Sequence, residues 1–267
     1  MLAVVDGWPV DTVAVAVVGP EGVRAAHGPL DVPLPWASLT KLLTALAVHV
    51  ACEEGTLSLD APAGPPGATI AHLLAHASGL GPDGRDAVVA PGQRRIYSNA
   101  GFEVLADELA GSSGIAFATY LEEAVLAPLA MAATRLEGSP AAGAVGTAQD
   151  LVALARELQS PTLLARATLD RAVAVAFPGL DGVLPGYGTQ RPNDWGLGFE
   201  VRGSKRPHWT APEASARTFG HFGAAGGFCW VDPDAGVGCV SLADRAFGPW
   251  AVEAWPPLAS AVLAAAG

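Results

Sequence analysis

With 267 residues the chain can bury a sizeable core, and no stretch reads as a flexible linker between two cores, so one folding unit built of lobes is expected. Acidic residues outnumber basic ones 26 to 15, for a formal net charge of -11, and no Lys/Arg cluster forms a phosphate-binding stripe, which excludes nucleic acid as a partner. The longest strongly apolar run, Leu42 to Cys52, is about half of a bilayer span; a secretory signal needs a basic n-region and a cleavage site, whereas Asp6 and Asp11 interrupt the N-terminus and Thr12 to Val18 alternate like a strand, so a cytoplasmic protein with no membrane partner is expected. Cys52, Cys229 and Cys239 have neither CxxC nor metal-ligand spacing and read as reduced thiols, with no metal site.

In chain order, Val13 to Val18 and Val23 to His27 flank the turn Gly19-Pro20-Glu21-Gly22, which predicts an opening hairpin. After the Pro-rich stretch at 33–35, Leu42, Leu43, Leu46, Ala47 and Val50 recur at helical spacing as far as Gly55, which predicts a buried helix starting near Ser38. Ile70 to His76, Ala100 to Ala110, Phe117 to Leu126, Ala148 to Leu158 and Thr162 to Val175 read as helices that form an insert between strands. Thr147 and Asp150 have the spacing of an N-terminal capping pair. Strand signals return at Leu197 to Val201, Ala216 to His221, Gly226 to Val231 and Val237 to Leu242, with Asp232 to Gly236 as a tight connection. These strands are expected to join the first hairpin in one sheet, covered by a last helix from Ala251 to Ala265.

Three short segments carry residues able to do chemistry. One helical turn sets Ser38 and Lys41 on the same face, so an amine desolvated beside a helix N-terminus can take the serine proton; an N-cap serine followed by a solvated lysine fits the same letters. Tyr97-Ser98-Asn99 follows the turn Pro91-Gly92 and precedes a helix, so the loop can point into a cleft. There Tyr97 offers a tyrosinate base or a group returning a proton to the leaving group, and Asn99 offers an amide to substrate; a packed aromatic and an N-cap are the alternatives. His221-Phe222-Gly223-Ala224 lies on a predicted strand end, where Gly223 permits close approach of a ligand and the Ala224 N–H can join that of Ser38 in an oxyanion hole. His221 is either a source of positive charge beside Lys41 and Tyr97 or a satisfied strand histidine. Tyr187, Trp195 and Trp209, in the loops 179–195 and 203–212, are candidates to line an acyl pocket.

The order Ser38-x-x-Lys41, Tyr97-x-Asn99, His221-x-Gly223, with Leu73-Leu74-Ala75-His76-Ala77-Ser78-Gly79-Leu80 between the first two, resembles the serine β-lactamase-like and penicillin-binding-protein-like hydrolases over residues 12–262. The resemblance implies an α/β (α+β) fold, an antiparallel sheet flanked by helices with a mainly helical lobe. It makes 1–267 a single domain with a sheet lobe of about 1–60 and 180–267 and a helical lobe of about 61–179. It further implies an acyl-enzyme on Ser38, proton transfer by Lys41 and Tyr97, a substrate amide held by Asn99, and no metal or organic cofactor. The implied substrates are small-molecule esters, amides or peptides. Esterase or D-amino-acid peptidase action is the leading expectation; β-lactamase, acyltransferase or a non-catalytic acyl-binding sensor are the alternatives. Phe222 stands where penicillin-recognising members commonly carry a threonine, which lowers the expectation of β-lactam hydrolysis. The family's N-terminal leading helix has no counterpart, which implies a less covered side of the sheet.

Overall fold

The computed structural model describes residues 1–266. The chain runs β1 (Val13–Gly19), β2 (Gly22–His27), β3 (Leu34–Pro35), α1 (Thr40–Glu53), α2 (Ile70–Leu74), α3 (Asn99–Ser113) and α4 (Phe117–Leu121), then β4 (Arg135–Leu136), β5 (Ala144–Gly146), α5 (Ala148–Glu157) and α6 (Arg166–Val173). It continues through β6 (Gly182–Leu184), β7 (Gly188–Gln190), β8 (Glu200–Val201), β9 (Phe219–Phe222), β10 (Phe228–Asp232), β11 (Val237–Ala243) and α7 (Pro249–Ala266).

Six strands form one antiparallel sheet in the order β2-β1-β11-β10-β9-β8, so the N-terminal hairpin pairs with the C-terminal strands as expected. The two-residue period of a strand then sorts the side chains. Ala14, Ala16, Val18, Val240 and Leu242 pack toward the helices, whereas Val15, Val17, Val237 and Cys239 pack toward α7. Both faces are buried, which is why these strands read as unbroken apolar runs. The expected bare side does not exist: α7 and a 3₁₀ turn over Leu2–Gly7 cover it, with Trp255, Leu258 and Val262 buried between them and the sheet. Cys229 and Cys239 lie on neighbouring strands but on opposite faces, so they remain free thiols.

Helix α1 is buried on every side, consistent with its all-round apolar sequence, and sits between the sheet and the helices α3 and α4. Three sequence expectations shift. The strand predicted from Leu197 shrinks to β8, because Gly198 sits at φ +102 with its missing Cβ facing Ala45. The helix predicted from Thr162 begins only at Arg166, because the Glu157 carboxylate accepts the N–H groups of Thr162, Leu163 and Leu164. The Thr147 hydroxyl does cap α5 by accepting from the Asp150 N–H at 3.2 Å, but the Asp150 carboxylate turns away to accept from Ala133 N and Thr134 Oγ1. The Pro-rich stretch, not predicted as strand, is β3 of a small sheet in the order β3-β5-β4, and it delivers the chain to Ser38.

Candidate active site

Ser38 lies in a 3₁₀ turn that runs into α1, so its side chain is free of capping duty and half-buried rather than packed away. The backbone leading to it is tightly held. Trp36 N donates to Ala144 O at 2.9 Å, Thr40 Oγ1 donates to Ala37 O at 2.6 Å, and Ala144 N donates back to Thr40 Oγ1 at 2.9 Å. Ala37 adopts φ +45, a left-handed conformation that costs a non-glycine residue roughly 1–3 kcal/mol and has to be held by its surroundings. Gly223 is part of that support: a Cβ there would meet the Trp36 carbonyl oxygen at 2.3 Å. The side of Gly223 on which a Cβ would stand is therefore filled by the nucleophile turn.

Lys41, one turn on, is completely buried. Its Nζ lies 3.2 Å from Ser38 Oγ, 2.7 Å from Asn99 Oδ1 and 2.9 Å from the Ala141 carbonyl oxygen, and 4.7 Å from the centre of the Tyr97 ring. Burial lowers its pKa to about 7, against an opposing pull from Asp83 and Glu103. The neutral amine has two N–H bonds and one lone pair. As an ammonium Lys41 donates to all three oxygens; once neutral, its two N–H bonds go to Asn99 Oδ1 and Ala141 O, which can only accept, and the lone pair is left for the Ser38 hydroxyl. The solvated-lysine alternative is thereby excluded. Asn99 is not the N-cap of α3 either: Ser98 is, accepting from Gly101 N at 3.0 Å, which frees the Asn99 amide to face Lys41.

The loop carrying Tyr97 is fixed from beneath. Ile96 N donates to His76 O and Ser98 N donates to His76 Nδ1, while the His76 ring lies 4.6 Å from the Tyr97 ring. Arg95, buried, donates to the carbonyl oxygens of Ala75, Ala176, Phe177 and Asn193 and ties this loop to the 173–195 segment. Burial pushes the Tyr97 phenol well above its ordinary range, and Ser38 only partly opposes that shift. This shift favours Tyr97 as a neutral phenol, able to donate a proton, over a tyrosinate base. His221 Nδ1 donates to Phe222 O at 2.6 Å, which leaves Nε2 as an acceptor 3.5 Å from the Tyr97 hydroxyl. Burial, and next the charge of Lys41, lower the His221 pKa to about 3. Of the two readings of His221, these contacts favour the satisfied strand histidine, a neutral acceptor beside Tyr97.

Ser38, Tyr97, Asn99, His221, Phe222 and Ala224 all line one cavity of about 230 Å³. Its other walls are Leu184, Pro185, Trp195, Glu200 and Phe247. Ala224 is exposed at the end of β9, in a turn closed by Gly223 N donating to Gly227 O and Phe247 N donating to Ala224 O. Phe222 points to the α7 side, against Phe247 and Trp255, with ring centres 4.9 and 5.8 Å away. Of the three loop aromatics, Trp195 reaches the cavity, whereas Tyr187 and Trp209 pack behind it on Phe222. A larger groove of about 480 Å³, between α5, α6 and the sheet edge, holds none of the residues singled out in the sequence.

Sequence reasoning missed Leu184, Pro185, Phe247 and Glu200: Leu184 ends a three-residue strand, Pro185 and Phe247 lie in irregular segments, and Glu200, although inside the strand expected from Leu197, was given no role. Glu200 is the least expected. It is buried, accepts from Lys205 Nζ at 2.8 Å and from His208 Nε2 at 2.9 Å, and also accepts from Trp209 Nε1. Burial alone would raise its pKa, but Lys205 and His208 outweigh this and hold the carboxyl below the usual carboxylate range.

The sequence model of the family described as Beta-lactamase matches residues 4–264. A curated relative, the D-alanyl-D-alanine-carboxypeptidase/endopeptidase AmpH of Escherichia coli (strain K12), is 32% identical over 148 residues, 42% of this chain; the chain spans only 38% of that relative's length. The crystal structure of a beta-lactamase (Mb2281c) from Mycobacterium bovis superposes with a TM-score of 0.98 at 54% identity, covering 99% of this chain and 98% of that one. EstCE1, described as a hydrolase with promiscuous acyltransferase activity, superposes with a TM-score of 0.76 at 18% identity over 97% of this chain and 95% of its own, a likeness of fold alone.

Proposed function

The chain belongs to the beta-lactamase family of serine hydrolases, and on that premise we propose that it forms an acyl-enzyme on Ser38 from a neutral ester, or from an amide that carries no carboxylate beside the scissile bond. The observation that carries the proposal is the placement of Lys41: it is buried with Nζ 3.2 Å from Ser38 Oγ, and two fixed carbonyl oxygens are at hand for its N–H bonds, so that the neutral amine has its lone pair left for the Ser38 hydroxyl.

In this reading neutral Lys41 takes the Ser38 proton as Oγ attacks the substrate carbonyl carbon, and the oxyanion is met by the N–H groups of Ser38 and Ala224. Tyr97, a neutral phenol, gives its proton to the leaving alkoxide or amine and is reprotonated from the Lys41 ammonium. Water, entering where the leaving group left, reverses the sequence and frees the acid. Asn99 keeps one amide N–H for the acyl side.

Substrate preference follows from the walls. Leu184, Pro185, Trp195, Phe222 and Phe247 offer apolar surface, and no Lys or Arg is among the lining residues that could pair with a substrate carboxylate. His221, neutral, cannot replace one. A β-lactamase is the second reading, favoured by the 54% identical Mycobacterium bovis protein described by that name. The test is a comparison of kcat/KM for p-nitrophenyl acyl esters, D-alanyl amides and a chromogenic cephalosporin. Esters ahead of amides, with the cephalosporin last, is the expected order; faster turnover of the cephalosporin than of any ester overturns it.

A further inference from the structure

The loop from Gly81 to Arg85 is clamped onto the start of α3. Ser98 Oγ donates to Gly81 O at 2.6 Å, Asn99 N and Ala100 N both donate to Pro82 O at 2.6 and 3.2 Å, and Arg85 pairs with Asp107 at 2.7 Å. These bonds bring Asp83 Oδ1 to 2.8 Å from Asn99 Nδ2, on the opposite end of the amide from Lys41. The result is a continuous chain, Asp83 to Asn99 to Lys41 to Ser38, in which every link is a hydrogen bond.

An asparagine amide can flip, and the flip matters here. With Oδ1 toward Lys41, the lysine spends an N–H on it; with Nδ2 toward Lys41, two donors face each other and the lone pair is drawn away from Ser38. A carboxylate only accepts, so Asp83 selects the first arrangement. We propose that Asp83 is a positioning residue for the reaction: it holds the Asn99 amide so that Oδ1 takes one Lys41 N–H and the Lys41 lone pair faces Ser38. The proposal rests on Lys41 being the base of the preceding section.

A second effect follows from charge. The groups that face Lys41 are Asp83 from the loop, Glu103 from α3, and the neutral His76, Tyr97 and His221. Glu103 is itself bonded by Ser139 Oγ at 2.9 Å. Asp83 and Glu103 raise the Lys41 pKa against the lowering by burial, which keeps the amine basic enough to accept a proton near neutrality. Asp83 is exposed, so salt screens its influence.

The experiment is kcat/KM against pH from 5 to 9 for a p-nitrophenyl ester, with the full chain as wild type, Asp83→Asn and Asp83→Ala, at low and high salt, and with a thermal melt of each. Asp83→Asn keeps an acceptor but adds a donor end and loses the charge, so its plateau is expected to fall less than that of Asp83→Ala while its acidic limb moves to lower pH. Asp83→Ala loses both, and its plateau is expected to fall by roughly tenfold or more, against the hundredfold that a misplacement of about 1 Å can cost. The limb of wild type should move to lower pH at high salt by more than that of either variant, in which only Glu103 is left to be screened. Unchanged limb and plateau in both variants, or equal plateau losses in the two, overturn the proposal. Failure of the underlying reading is a separate result: wild type then shows no limb near neutrality and no fluorophosphonate adduct on Ser38.

Discussion

Lys41 gives the account a thermodynamic handle that does not depend on knowing the substrate. Its pKa is about 7 in the fold against 10.5 for the free side chain, and burial is the main cause. Between those two values the unfolded chain holds a proton that the native lysine lacks. Native stability therefore rises with pH across this window, and below pH 7, where both states are protonated, the cost of the buried charge is felt in full. The slope is about 1.4 kcal/mol per pH unit, so from pH 7 to 9.5 the wild type gains about 3 kcal/mol from this one group. The perturbation is Lys41→Met, which fills the same space and cannot titrate. Other groups titrate in both proteins, and the difference between them isolates Lys41. Urea denaturation of both at pH 7 and 9.5 is the assay: the stability of wild type relative to Lys41→Met should increase by about 3 kcal/mol at the higher pH. A difference that stays constant would mean that Lys41 is an ordinary charged lysine in the fold, and would refute its role as base.

Three other substitutions probe the surroundings. Tyr97→Phe should lower kcat/KM for esters by about a hundredfold or more while leaving the melting temperature nearly unchanged, because a proton donor is lost and the packed ring is kept. Glu200→Gln removes the partner of buried Lys205 and should cost about 3–5 kcal/mol, a drop of roughly 10 °C in Tm, with Glu200→Gln combined with Lys205→Met recovering much of the loss. Gly223→Ala drives a Cβ into the Trp36 carbonyl, so Ser38 acylation should fall sharply with a stability loss of only about 1–3 kcal/mol; near-normal acylation would show that the turn before Ser38 has slack.

Elements with strong period were legible before any coordinates. The hairpin of β1 and β2, the buried α1 and the return of strands to one sheet all follow from side-chain alternation, and the Ser38 to Lys41 spacing places hydroxyl and amine together by helix geometry alone. What escaped was aperiodic. Strands of two or three residues, such as β3 and β6, lack the length to show a pattern, and the ion cluster around Glu200 joins residues from one short strand and an irregular loop. Competition for backbone N–H groups moved a helix start: the Glu157 carboxylate holds Thr162 to Leu164 out of the helix their sequence favours. The protonation of His221 was illegible for another reason. A sequence shows which residue can carry a proton, but the depth of burial and the nearness of Lys41, which keep this one neutral, exist only after folding.

The most direct test of the central claim is intact-protein mass spectrometry after exposure to a fluorophosphonate, with wild type and Ser38→Ala run side by side. An activated serine predicts one adduct on wild type and none on the variant, with labelling that slows as pH falls below about 7, where Lys41 gains its proton. An adduct on both proteins would place the nucleophile elsewhere, and none on either would mean that the Ser38 hydroxyl is not activated.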